Sequence, residues 1–159
     1  MKCQPVVNYK RHLDSLFDKV SQTDAFTNDP ELLSQWGKYL SVLVAGFLEV
    51  AVREIYAAHA SRKAAPHIAS FVRQRMARVQ NVDSDRIYEI ARWFGADWEA
   101  ELRGLLDVQH EGAVNGIVGN RKQIAHGNDQ RSSVTFAQVR DWYKLVVEVV
   151  ETLEMQCER

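Results

Sequence analysis

Cysteine is scarce in this chain, and its two copies, Cys3 and Cys157, stand one near each terminus. They have the spacing of neither a thiolate metal site nor a disulfide framework, so the expectation is two free thiols in a reducing, cytoplasmic compartment. Excess charge is lacking too. Twenty Lys and Arg against twenty-one Asp and Glu leave a formal net charge of −1, which excludes a protein whose whole surface grips nucleic acid and makes any such binding local. Long apolar runs are also missing. The most apolar stretch, Tyr39 to Val52, is fourteen residues interrupted by Ser41 and Glu49, short of the ~20 that a bilayer needs. Met1-Lys2-Cys3-Gln4-Pro5 has no apolar run of the secretory type, so neither a membrane partner nor export is expected. Proline occurs three times, and no stretch of useful length alternates with the period of a strand, which excludes a sheet.

What is present is helical periodicity. At 159 residues and 46% hydrophobic content, the chain has the size of one domain, 1–159, with one sizeable core. Leu13, Leu16, Phe17 and Val20 space a first amphipathic helix from Val6 to about residue 20. Asp29 before Pro30 starts a second, as N-cap and first helical residue, and its apolar pattern runs to about Ala60. That is roughly 30 residues and about 45 Å, apolar on nearly every face in the middle, the pattern of a central helix. Pro66 restarts a helix with Ile68, Phe71, Val72, Met76 and Val79. Asp83 or Ser84 caps the next, closed by Gly95 as a left-handed residue, and Asp97 caps a short one. A further helix follows an interruption near His110 to Gly112 and stops at Gly127 and Asn128. Thr135 with Gln138 forms a capping box for the last, stapled by Val134 and Val139. The prediction is an all-α antiparallel bundle of roughly six to seven helices.

Two residues carry the chemistry. Arg121 and His126 join a permanent cation with five donors to a side chain that titrates near neutrality. The spacing Arg-x4-His is unspecific, since Arg62 with His67 repeats it, and Arg53 with His59 and Arg103 with His110 match longer versions; for the first two of these look-alike pairs a solvated basic surface is the simpler reading. Arg121 differs by position. Val114, Ile117, Val118, Arg121 and Ala125 fall at spacings of three and four, so Arg121 continues an apolar stripe and requires an anion. Glu49, the lone charge in the apolar middle of the long helix, is the protein candidate, and a ligand is the other. His126 stands about 140° around an ideal helix from Arg121. The two meet if the helix ends at His126, with Gly127 releasing the backbone, or if a second copy supplies the missing half. Gly112, Gly116 and Gly119 form a small-residue face that could meet Phe47 or Leu48 within the fold, or its own copy in a dimer.

On these residues the chain resembles HEPN domains, the all-α superfamily named for higher-eukaryote and prokaryote nucleotide-binding proteins, and within it the RiboL-PSP-HEPN type. The likeness spans Leu33 to Leu153 and rests on Gly46-Phe47-Leu48-Glu49, the Ile87 to Trp98 passage, Arg121-x4-His126-Gly127, and a final helix reached through Val134-Thr135. The family motif usually places a polar Asn, Asp or His directly after the arginine; here Lys122 follows and Asn120 precedes.

The resemblance implies a metal-independent endoribonuclease that acts as a homodimer, with two Arg-x4-His motifs meeting across a symmetric cleft. It also implies a toxin or defence effector, with an antitoxin or regulatory protein as a further partner. In that reading Arg121 and His126 are catalytic, and Asn120, Lys122 and Glu49 are substrate-binding or supporting. No cofactor or metal is called for. The alternative is a non-catalytic HEPN module that binds nucleotide, RNA or a partner protein, with Arg121 structural through Glu49. Between Ile55 and Val82 there is no acidic residue, while Arg62, Lys63, Arg73, Arg75 and Arg78 are basic. That one-signed region reads either as a guide for an RNA backbone or as a solvated face.

Overall fold

The computed structural model describes residues 1–24, 29–128 and 134–158. Among them seven helices and no strand occur: α1 (Gln4–Asp24), α2 (Pro30–Lys63), α3 (Pro66–Met76), α4 (Ser84–Phe94), α5 (Ala96–Leu105), α6 (Val108–Ala125) and α7 (Phe136–Glu158). This is the all-α bundle that the periodicity predicts. No helix among the described residues is long and apolar enough to cross a membrane.

The central member is α2, with α1, α3, α6 and α7 packed around it. Its start follows the sequence signal: Asp29 Oδ1 accepts the N–H groups of Glu31 (2.9 Å) and Leu32 (3.4 Å), and Pro30 sits where a missing N–H costs nothing. Its 34 residues extend about 51 Å. Leu40, Val44, Phe47, Leu48, Ala51, Val52 and Tyr56 are fully buried on it, and each large side chain of that set contributes about 1.5–3 kcal/mol of transfer free energy. From α7, Val139, Val146, Val150 and Leu153 face the same core, and Tyr143 stacks on Phe17 of α1 at 4.8 Å while its hydroxyl donates to Asp14 (2.7 Å). Thr135 Oγ1 accepts the Gln138 N–H at 3.2 Å, one half of the expected capping box.

Two helix boundaries and one packing contact differ from the sequence reading. Gly95 has φ 161°, an extended conformation, not a left-handed one, and it serves as N-cap of α5, so Asp97 lies inside the first turn. The interruption expected at His110 to Gly112 falls earlier, at Leu106 and Asp107. Asp107 caps α6, accepting the N–H groups of Gln109 and His110, and His110 completes a capping box in the place usually held by Glu or Gln. Lastly, what presses on the small face of α6 is a residue of α7, where Phe47 or Leu48 of α2 was the expectation. A Cβ on Gly116 would stand 2.7 Å from the indole of Trp142, so this glycine admits α7 against α6, while Gly112 and Gly119 have open space.

Candidate functional site

The end of α6 sets the site. His126 is its C-cap residue (φ −92°, ψ 12°), and Gly127 follows in the left-handed region with φ 71°. The Gly127 N–H donates to Ile124 O (3.1 Å) and the Asn128 N–H to Gln123 O (3.0 Å). These are the two bonds of a Schellman motif, which absorb carbonyls that a helix end leaves unpaired. The chain turns away immediately after His126, and the imidazole is left exposed at the helix tip.

One turn and a half earlier, Arg121 leaves the buried stripe of Val114, Ile117 and Val118 and meets its anion. Its Nη1 lies 2.8 Å from Glu49 Oε1 and 3.0 Å from Asn81 Oδ1. Glu49 Oε1 also accepts the backbone N–H of Asn81 (2.7 Å), and Oε2 lies 3.5 Å from Arg53 Nη2. Arg53 in turn donates from Nε to the Val79 carbonyl at 2.8 Å. One carboxylate on α2 thus ties the α3–α4 connection to α6. Such a buried ion pair is acceptable only because its remaining lone pairs are used. The Glu49 side chain is 9% exposed, whereas that of Arg121 keeps 30%, so the arginine combines a fixed inner contact with access to solvent.

Outside this network lies a cleft of about 320 Å³ lined by Gln80, Asn81, Arg121, Lys122, Ala125 and His126. Arg121 and His126 of the same chain therefore border one opening, despite their separation around the helix. Ala125, between them in angle, is too small to divide the space, and the helix terminates where the second group is needed. Lys122 Nζ stands 3.3 Å from Asp83 Oδ2, the same aspartate whose other oxygen caps α4. Two cations and an imidazole line the cleft and no carboxylate does, the Glu49 and Asp83 charges being engaged by Arg121 and Lys122 outside it, so the cleft suits an anion. Asn120 is differently placed: its amide donates to Gly116 O (2.8 Å) along its own helix, and it lies outside the lining.

Of the look-alike pairs, Arg62 and His67 are exposed, as a basic surface would have them, whereas Arg53 and His59 are half-buried with structural partners, which corrects that expectation for the second pair. His59 Nδ1 is 2.7 Å from Cys157 O, and Arg62 donates to the same carbonyl at 3.2 Å. His110 caps α6 and reaches Glu148 (3.1 Å), while Arg103 pairs with Glu99 (3.0 Å) and lies over Tyr88. Sequence reasoning missed Asn81 and Arg53 as members of the site network. Asn81 has φ 51°, and asparagine is one of the few non-glycine residues that tolerates that region; an asparagine just before the Asp83 cap was the available signal.

An all-α fold matched over essentially the whole chain by a HEPN family model is that of a HEPN domain. Within that class the chain belongs to the RiboL-PSP-HEPN family, whose model matches residues 6–159, a family of nuclease-like or RNA-related function. HEPN domains are often RNases. No curated protein and no solved structure matches the chain.

Proposed function

We propose that the protein is a metal-independent endoribonuclease acting through Arg121 and His126, and the observation that carries this reading is their common cleft in a chain of the RiboL-PSP-HEPN family. Cleavage proceeds by attack of a ribose 2′-oxygen on the adjacent phosphorus: the O2′–P bond forms, the P–O5′ bond breaks, and a 2′,3′-cyclic phosphate remains. His126, as the neutral imidazole, takes the 2′-OH proton as general base. Arg121, already oriented through Nη1, stabilises the charge that develops on the phosphoryl oxygens, with Lys122 beside it. A proton must also reach the departing 5′-oxygen. A homodimer that apposes two clefts provides it from the imidazolium of His126 of the partner subunit, giving one acid and one base. A toxin or defence role, held in check by an antitoxin, is the biological setting that this chemistry fits.

A second reading is favoured by the Arg121–Glu49 contact itself: a non-catalytic HEPN module in which the arginine only fixes helix register. The test is analysis of RNA ends after incubation in EDTA, alongside light scattering at micromolar protein. Cyclic phosphate ends and a dimer support the ribonuclease reading; 3′-hydroxyl ends or a monomer contradict the mechanism. For the second reading, Arg121→Met with Glu49→Leu replaces the pair by apolar groups, and RNA binding that survives in this folded variant leaves the arginine structural.

A further inference from the structure

A second recess, of about 560 Å³, lies between the C-terminal turn of α2, the outer face of α3 and the end of α4. It shares no lining residue with the Arg121–His126 cleft. Ile68, Phe71, Val72 and Arg75 of α3 line it at spacings i, i+3, i+4 and i+7, opposite Trp93 and Phe94. Only Ala69 and Met76 of α3 are buried, against a chain in which most large apolar groups are. Phe71 is 67% exposed and Ile68 48%. Exposed apolar groups that form a contiguous stripe mark an interaction surface more often than scattered ones do.

The charged groups that line this groove have one sign, and the nearby Glu89 carboxylate is already paired with Arg86. The lining includes Lys63 and Arg75 and no carboxylate, and the chain has no acidic residue between Ile55 and Val82. Arg75 and Arg86 place their guanidinium carbons 4.8 Å and 5.0 Å from the Trp93 ring centroid, so this indole already carries cations that compete with a stacked nucleic-acid base. An apolar trough rimmed by cations is complementary to a helix with an apolar stripe and acidic flanks.

We propose that this groove docks an acidic amphipathic helix of a partner protein, with two or three large apolar side chains seated against Phe71, Ile68 and Trp93 and carboxylates facing Lys63 and Arg75. The proposal does not depend on the ribonuclease reading. The test uses two labelled peptides of about 15 residues, long enough to hold a helix, with one leucine pattern at i, i+3, i+4 and i+7 and either Glu or Lys at the flanking positions. A labelled single-stranded RNA is measured beside them. Fluorescence anisotropy should show binding of the Glu peptide that weakens with salt, and Phe71→Asp or Arg75→Glu should each weaken it by about tenfold or more. Both residues are solvent-facing enough for circular dichroism to confirm an intact fold. Equal binding of the Lys peptide, or no effect of Phe71→Asp, overturns the proposal. RNA binding lost in Phe71→Asp assigns the groove to nucleic acid instead, and a dimer that Phe71→Asp converts to monomer in light scattering assigns it to a second copy; either overturns it as well.

Discussion

Arg121 reaches Glu49 and Asn81 with a single nitrogen, Nη1, at 2.8 Å and 3.0 Å. One amino group of the guanidinium holds the side chain while the group as a whole stays partly open to the cleft. Glu49, in contrast, spends one oxygen on both Arg121 and the Asn81 N–H and is buried.

The asymmetry predicts unequal costs. Arg121→Ala leaves Glu49 with Arg53 and the Asn81 N–H as partners, whereas Glu49→Ala strips the inner contact from two arginines and a backbone donor. Glu49→Ala should destabilise by about 3 kcal/mol, in the range for breaking a buried pair, and Arg121→Ala by about 1–2 kcal/mol. Urea unfolding of both variants checks the order, and equal costs contradict it.

Asn81 should be sensitive to backbone conformation and side chain separately. At φ 51°, alanine adds about 1 kcal/mol of left-handed strain to the loss of the carboxamide contact. Glycine removes the strain and keeps the N–H donor to Glu49. Asn81→Ala is therefore expected to be less stable than Asn81→Gly by about that amount, measured by the same unfolding curves.

At Gly116 the Trp142 indole of α7 lies directly against α6. Gly116→Leu drives a side chain into Trp142 and should cost about 1–3 kcal/mol; Trp142→Ala in the same chain should recover part of the loss. A Gly116→Leu protein as stable as wild type would mean that the two helices do not pack as described.

Acid should loosen the N-terminus. Burial pushes the Glu154 carboxyl up, but the N–H groups of Lys2 and Cys3 and the N-terminal ammonium outweigh it and hold the carboxyl below its ordinary value of 4.5. A group lowered in the folded state stabilises above its unfolded pKa, and that contribution is lost as pH falls through the folded one. The stability gap between wild type and Glu154→Gln, present at neutral pH, should shrink below about pH 4. A gap that grows on acidification contradicts the sign.

Much of this was legible in the chain. Asp29-Pro30 and Thr135 marked the starts of α2 and α7, because capping chemistry is local. The stripe through Val114, Ile117 and Val118 put Arg121 where an anion was required, and Glu49, alone in an apolar stretch, was that anion. That Asn81 neighbours Arg121 was not legible, since the two residues are 40 positions apart; the asparagine before the Asp83 cap marked a turn and not that the α3–α4 connection reaches α6. The start of α6 was misplaced because His110 substitutes for the acidic or amide partner of a capping box. Nor could Trp142 at Gly116 be foreseen, with Gly112 and Gly119 left open: a small-residue stripe tells that something can approach closely and does not tell what, or where along it.

If, as proposed, Arg121 and His126 cut RNA from the cleft they share, each must be needed for the rate. The direct measurement is the cleavage rate of a defined single-stranded RNA in EDTA by wild type, Arg121→Ala and His126→Ala, each confirmed as folded. Wild type should cleave, and each variant should be slower by about a hundredfold or more, the usual worth of a positioned acid–base group or a charge-stabilising donor. Wild-type protein that leaves the RNA intact, or variants that cleave it as fast as wild type, would contradict the account.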